Sequence, residues 1–208
     1  MMAESSNQIW SVCGHLDLLR GQAIGRGTHQ PDQGQFDQSV PVTFVTCALA
    51  LVSRKALERA GLIPDEYFFG IEEWDFSLRT QRAGFELWYE PEFVAYHAGD
   101  GSHCNSDPKF VYNSYRNKLI FVNKYSSFIK WRLWLMIFEH FYARFVARGH
   151  LARMHRQNNP DVPALVYALK AAIRDHKLLG IRKLSEDDLF RFSAELERWR
   201  GDLPELEA

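Results

Sequence analysis

The feature that most constrains the fold of this chain is a largely apolar run at residues 40–52. Its large apolar side chains are Val42, Phe44, Val45, Leu49, Leu51 and Val52. A continuous apolar run, rather than an alternating one, is typical of a strand that is covered on both faces. Such strands belong to parallel sheets with helices packed on either side. The run therefore predicts a buried central strand within an α/β layer.

The residues after this run alternate between helix and strand signals. Ser53 is a good N-cap for a short helix, and Gly61 and Gly84 are suitable helix ends. The predicted elements are helices at 54–60 and 72–83, strands at 85–89 and 94–97, and a helix at 109–125. This alternation favours an α/β domain over separate all-α and all-β halves.

The two ends of the chain are predicted to differ from this central part. Residues 1–40 are polar and rich in glycine, and they predict a loop with a short strand at 9–12. From residue 126 onward we find only helix signals, at 128–148, 162–179 and 185–200. The second of these helices is predicted to bury Ala164, Leu165, Ala168, Ala171 and Ala172. The third is predicted to be capped by Ser185-Glu186-Asp187-Asp188. We therefore expect a partial α/β domain at residues 1–125 and an all-helical extension at residues 126–208.

A cluster of acids stands at the start of the predicted 72–83 helix. Glu72, Glu73 and Asp75 surround Trp74, and two phenylalanines precede them. Burial beside aromatic rings and nearby like charge both raise the pKa of a carboxyl group, which suits a general base near neutral pH. The alternative is structural, because acids in the first turn stabilise the helix dipole. Arg79, four residues after Asp75, also predicts an ion pair along the helix.

Charge is unevenly distributed along the chain, although its net value is only −1. Residues 126–183 carry 11 Lys and Arg against 3 Asp and Glu, a net charge of +8, among many aromatic residues. Two roles remain open for these basic helices: contact with an anionic membrane surface, or a solvated helical tail. No nucleic-acid partner is expected.

The cysteines and the apolar segments bear on cellular location. Cys13, Cys47 and Cys104 are scattered and form no C-x-x-C pair, which favours free thiols in a reducing compartment. The start of the chain lacks the pattern of a signal peptide. The most apolar run, at 131–146, is interrupted by charged residues. We expect a cytoplasmic protein, or one held peripherally on the inner face of the cell membrane.

An ordered set of short motifs runs through residues 41–125. They are Phe44 to Val52, Arg54, Gly61, Tyr67-Phe68, Glu72-Glu73-Trp74-Asp75, Leu78-Arg79, Ala83-Gly84-Phe85, Pro91, Tyr96-His97, Ser102 and Tyr115-Arg116-Asn117. In this order and spacing they resemble the second half of a family 2 inverting glycosyltransferase of the GT-A type. The rhamnosyl and cell-envelope-sugar branch is the most similar. Residues 8–37 resemble the segment that precedes this half.

The resemblance implies transfer of a sugar from a nucleotide-sugar donor to a glycan or lipid-linked acceptor, with inversion. It implies Glu73 as the general base, and Glu72 and Asp75 as acids that bind the acceptor or hold the loop. It implies Mg²⁺ or Mn²⁺ at the departing diphosphate, with His97 completing the metal site. The implied substrate-binding residues are Trp74, Arg79, Ser102, Tyr115, Arg116 and Asn117. A zinc cluster of His97, His103 and Cys104 is an alternative.

The chain also departs from the family pattern. Glu73 stands where the family usually has Asp, and Cys47 where it usually has Gly. The first, nucleotide-binding half and its Asp-x-Asp motif are not found in the sequence. We therefore expect a separate chain or segment to supply the donor-binding half. The alternative is an inactive, truncated remnant that docks to a membrane or to a partner protein.

Overall fold

A computed structural model describes residues 2–3, 8–28, 30–67, 70–97, 107–142, 161–180 and 185–202. The chain is a mixed α/β protein with two compact units. The first unit comprises Met1–Asp65 and Ile71–Ser102, and the helical unit comprises Glu66–Gly70 and His103–Ala208. The sequence placed a boundary after residue 125, whereas the compact units divide after residue 102.

Short paired strands form the β structure of the first unit. Strand β1 (Met2–Ala3) pairs in parallel with β6 (Tyr96–His97). The other pairs are antiparallel: β2 (Gly14–Asp17) with β3 (Gln22–Gly25), and β4 (Val40–Val42) with β5 (Leu87–Tyr89). Each sheet within the described residues therefore has two strands.

The predicted central strand at residues 40–52 is wrong in both extent and burial. Only Val40–Val42 forms a strand, and Leu49 and Leu51 are 42% and 81% exposed. The residues after β4 follow an irregular path, because apolar character alone does not fix the backbone conformation. The core of this unit takes Val42 and Phe44 from the run, but not its second half.

The loop predicted for residues 1–40 is also corrected, since it contains the β2–β3 hairpin. The strand expected at 9–12 is absent, and Gln8 makes only an isolated bridge to Pro31. The sequence did not predict the hairpin, because only one of its eight strand residues is buried and its strands show no apolar alternation.

Gly14 joins this hairpin to the residues that follow β4. Its N–H donates to the Phe44 carbonyl, and the Phe44 N–H donates back to the Gly14 carbonyl, both at 3.1 Å. A Cβ atom on Gly14 would lie 2.1 Å from the carbonyl oxygen of Ile24. Only glycine therefore fits at this position of β2 beside β3.

The two helices of the first unit confirm their sequence signals. Helix α1 (Arg54–Ala60) begins after Ser53, whose hydroxyl accepts the Ala56 N–H at 3.1 Å, and ends at Gly61 with φ of 82°. Helix α2 (Glu72–Arg82) ends one residue before the predicted limit. Strands β5 and β6 lie within the predicted segments but are shorter.

The helical unit contains four α-helices within the residues that the structure describes, and no strand there. They are α3 (Pro108–Tyr125), α4 (Phe128–Ile137), α5 (Val162–Leu179) and α6 (Glu186–Gly201), and a π-helical segment (Phe138–Tyr142) continues α4. The prediction of helices alone after residue 125 is confirmed there. The rest of the predicted 128–148 helix lies outside the described residues. Of the described helices, none has the length and apolar character needed to cross a membrane.

Small and aromatic side chains pack the helical unit. The predicted buried face of α5 is confirmed, and its alanines let α3 pack closely against it. The Tyr112 ring stacks on that of Phe192, with centroids 4.2 Å apart. Ser185 and Asp188 form a capping box at the start of α6. Amphipathic spacing and end signals therefore gave correct helices here.

A buried histidine lies at the centre of this unit. His176 is 4% exposed, and its Nδ1 lies 2.9 Å from the guanidinium of Arg116, which is 1% exposed. Because a guanidinium can only donate, Nδ1 accepts, and Nε2 lies 3.3 Å from the side-chain amide of Asn123. The rings of His176 and Trp131 meet at a steep angle, 69° between their planes, with centroids 5.1 Å apart. Burial, followed by the charge of Arg116, lowers the pKa of His176 to about 4.

Candidate functional site

The predicted acid cluster lies at the N-terminus of α2. Ile71, the residue before this helix, has φ of 76° and offers no side-chain cap. A β-branched residue rarely adopts this left-handed conformation, because its side chain crowds the backbone. Glu72 and Glu73 occupy the first turn that follows. The chain thus enters α2 through a strained residue directly before the two glutamates.

Two donors hold the Glu73 carboxylate. The Cys47 N–H donates to Oε2 at 3.2 Å, and the Thr46 hydroxyl donates to the same oxygen at 3.4 Å. The described residues place no hydrogen-bond donor on the other oxygen, Oε1. One oxygen is therefore oriented by the protein, while the second has lone pairs available to a proton donor.

The surroundings of Glu73 raise its pKa. Burial is the largest cause, and the negative charge of Glu72 acts in the same direction. The hydrogen bonds from Cys47 and Thr46 act in the opposite direction but do not offset these effects. The result is a carboxylate with a greater affinity for a proton than an exposed glutamate has, as a general base near neutral pH requires.

The negative charges of Glu73 and Glu72 also affect the pKa of the Cys47 thiol. Its pKa is raised to about 11, first by burial and then by the charges of Glu73 and Glu72. The thiol is therefore neutral at physiological pH and is a poor nucleophile. The Oε2 atom of Glu72 is buried, and no described residue makes a hydrogen bond to it. A buried acceptor without a hydrogen bond costs free energy, so a ligand that donates a hydrogen bond to this atom would be stabilised.

Asp75 has a structural environment that differs from that of Glu73. Its side chain is fully buried, and the Arg79 Nε lies 2.6 Å from its Oδ1, which confirms the predicted ion pair. Arg79 also donates to the carbonyls of Ala60 and Leu62, at the end of α1 and just beyond it. The pair thus ties α2 to α1. These contacts occupy the guanidinium with protein groups.

An open cleft of about 650 Å³ lies beside Thr46. Its walls are mainly apolar, and residues 49–53 and 85–90 supply much of them. The hydroxyl of Thr80, on α2, is buried in this wall without a hydrogen-bond partner among the described residues. Both the size and the apolar walls with a few polar groups are typical of small-molecule sites. Leu49 and Leu51, which were predicted to lie in a buried strand, therefore line a cleft.

The other predicted substrate-binding residues whose side chains are described are on α2 and α3. Trp74 is half-buried on α2. Tyr115, Arg116 and Asn117 are on α3 in the helical unit, where Arg116 contacts His176 and the Asn117 amide donates to the Gly70 carbonyl at 2.9 Å. The structure therefore gives Arg116 and Asn117 contacts within that unit.

The predicted metal site has no counterpart in the part of the chain that the structure describes. No group of three or more His, Cys, Asp or Glu side chains that could hold a metal ion occurs there. The His97 backbone belongs to β6. Its side chain, Ser102, His103 and Cys104 lie outside the described residues. The described residues therefore do not test the predicted metal site, and we assign no step to a metal ion.

Sequence reasoning missed the role of Thr46 and the position of the cleft. Thr46 and Glu73 are 27 residues apart, and no local pattern links them. Only one sequence signal for the cleft was available, and it was indirect. The apolar run at 40–52 is longer than a typical short strand. Comparison of the chain with protein-family models, with curated proteins and with solved structures gives no match.

Proposed function

We propose that this chain is the acceptor-side, base-bearing half of an inverting glycosyltransferase of the GT-A type. The observation that carries the proposal is the Glu73 carboxylate, which two donors orient through Oε2 while its raised pKa favours proton uptake. Further support comes from the adjoining cleft, whose wall includes Thr46. The ordered motifs from Phe44 to Asn117 supply the reaction class by resemblance.

In the proposed reaction, a hydroxyl oxygen of the acceptor attacks the anomeric carbon of the donor sugar. A new glycosidic C–O bond forms as the bond from that carbon to the diphosphate oxygen breaks, and the nucleoside diphosphate leaves with the bonding electrons. Glu73 Oε1 takes the hydroxyl proton. Because attack and departure occur on opposite faces, the configuration at the anomeric carbon inverts.

Glu72 has a supporting role in this proposal. Its buried Oε2 would accept a hydrogen bond from a second acceptor hydroxyl, and its charge helps to keep the pKa of Glu73 raised. Asp75 and Arg79 position α2 through their contacts with each other and with the end of α1. The donor would be held by a separate nucleotide-binding half.

The primary test is release of nucleoside diphosphate from a panel of sugar nucleotides, with glycan and lipid-linked acceptors and with Mg²⁺ or Mn²⁺ added. The chain is assayed alone and together with a candidate donor-binding half. We expect turnover to be lost in Glu73→Gln. It should be kept in Glu58→Gln, which changes an exposed position of α1. A folded protein without turnover in either format overturns the proposal.

A second measurement tests the site geometry without turnover. Alkylation of Cys47 by iodoacetamide, followed peptide by peptide, reports the thiolate fraction of that thiol. Because the charge of Glu73 raises the Cys47 pKa, Glu73→Gln should accelerate alkylation while Glu58→Gln leaves it unchanged. Equal rates in all three proteins would contradict the arrangement of Glu73 and Cys47, whatever the enzyme assay shows.

A further inference from the structure

A row of exposed apolar side chains runs along α4 and the π-helical segment. Its members, here called the apolar stripe, are Phe128, Ile129, Leu133, Met136, Ile137 and Phe141. Each is between 48% and 78% exposed. Single exposed apolar residues are common on proteins, but six large ones on one helical element indicate an interaction surface.

The opposite side of the same helix is also apolar, and it faces the protein. Trp131 and Phe138 are 7% and 2% exposed, and the Trp131 ring meets that of His176. Trp134 stacks on Phe138 with centroids 4.8 Å apart. The helix is thus anchored by one side and is apolar on the other. A helix that is apolar all round is normally covered on both sides.

Two cations flank the middle of the apolar stripe. At about 100° per residue, Lys130 and Arg132 lie about 160° apart around α4, and Ile129, Leu133 and Met136 fall between them. Both cations are exposed. This is the arrangement of helices that lie in the interface of a bilayer, where long basic side chains extend from the apolar face toward lipid headgroups.

The acidic residues of 126–183 pair with cations other than Lys130 and Arg132. The three Asp and Glu residues of 126–183 are all in ion pairs: Glu139 with Lys177 at 2.6 Å, Asp175 with Arg174 at 2.8 Å, and Asp161 with Arg200. In sequence, the positions directly after the described part of this element add further arginines and no acid. The region therefore presents apolar surface together with positive charge.

We propose that the apolar stripe, with Lys130 and Arg132, docks the protein on the surface of a bilayer that contains anionic lipid. The axis of α4 lies in the plane of the interface, with the apolar stripe among the acyl chains and the two cations at the headgroups. A second copy of the chain is a poorer occupant. Contact between two stripes would bring together two copies of the same basic region, each with a net charge of +8 over residues 126–183, and like charges repel.

The test is co-sedimentation of the full chain with vesicles of phosphatidylcholine alone, and with vesicles in which phosphatidylglycerol replaces part of that lipid. We expect binding to the second kind, weakened by salt. The double variant Leu133→Gln, Ile137→Gln should lower the partition coefficient about a hundredfold, since two large apolar side chains leave the interface. Lys130→Gln with Arg132→Gln should lower it about thirtyfold and reduce its salt dependence.

Phe190→Gln is the matched control, because Phe190 on α6 is 77% exposed and lies outside the apolar stripe. It should bind vesicles as the original chain does. Circular dichroism at 222 nm checks that every variant keeps its helices. The proposal, which does not depend on the proposed function, is overturned by three results. These are no binding to anionic vesicles, equal binding by the stripe variant, or a stripe variant that changes only the oligomeric state in gel filtration.

Discussion

Acidification should destabilise the helical unit through a single buried side chain, His176. The ring is held neutral between the Arg116 guanidinium, which is 2.9 Å from Nδ1, and the edge-on contact with Trp131. A proton added to Nδ1 would displace the hydrogen bond from Arg116 and place two cations side by side in the core. The cost of this arrangement can be worked from the pKa of the histidine.

Folding lowers the pKa of His176 from 6.5 to about 4, a difference that corresponds to about 3 kcal/mol. The unfolded chain takes up the proton below pH 6.5, whereas the folded chain does so only near pH 4. The contribution of the neutral ring to stability is therefore complete above pH 6.5 and is lost as the pH falls toward 4. By pH 5 the loss should reach about 2 kcal/mol.

The assay is urea unfolding followed by circular dichroism at 222 nm, at pH 7, 6 and 5. In His176→Gln the side chain does not titrate, while its amide oxygen can still accept from Arg116. The free energy of unfolding of this variant should fall between pH 7 and 5 by about 2 kcal/mol less than that of the original chain. His15→Gln, at an exposed position on β2, should behave as the original chain does. Parallel losses in the original chain and in His176→Gln would refute the reasoning.

Two further predictions concern stability in the first unit. Arg79→Met should lower the free energy of unfolding by about 3–5 kcal/mol, because it removes the cation that is paired with the buried Asp75 carboxylate. Arg54→Met should cost little, since its ion pair is exposed, and similar small effects for both would contradict the role of Arg79. Gly14→Ala should cost about 3 kcal/mol in urea unfolding, because its Cβ would overlap the Ile24 carbonyl. Gly201→Ala, where a Cβ meets nothing within 4 Å, should change it little, and equal effects would refute the packing argument.

Local sequence signals predicted the helices well. Ser53 and Gly61 bound α1, Ser185 starts α6 through its capping box, and the alanine face of α5 is buried. These signals act within one or two turns, so a single sequence contains all of their physics. The Asp75–Arg79 ion pair was predicted for the same reason.

The strands and the site contacts depend on residues far apart in sequence. The apolar run at 40–52 is equally compatible with a buried strand and with a cleft wall, and only its neighbours in space distinguish the two. The β2–β3 hairpin is held to residues 43–44 through Gly14, a contact that no local pattern reveals. The expected donor half and metal site stay predictions.

By itself, the sequence determined where α1 begins and ends, where α5 and α6 begin, which face of α5 is buried, and that two glutamates stand at the start of α2. Only the tertiary structure decided that Cys47 and Thr46 donate to one oxygen of Glu73, while Asp75 is fully buried and paired with Arg79. It also decided that residues 49–53 line a cleft and that the apolar stripe of α4 faces outward. The physical reason is the distance along the sequence over which each interaction acts. Helix ends and helical periodicity depend on neighbours within a few residues. Burial, pKa and hydrogen-bond partners are set by groups brought together from distant parts of the chain.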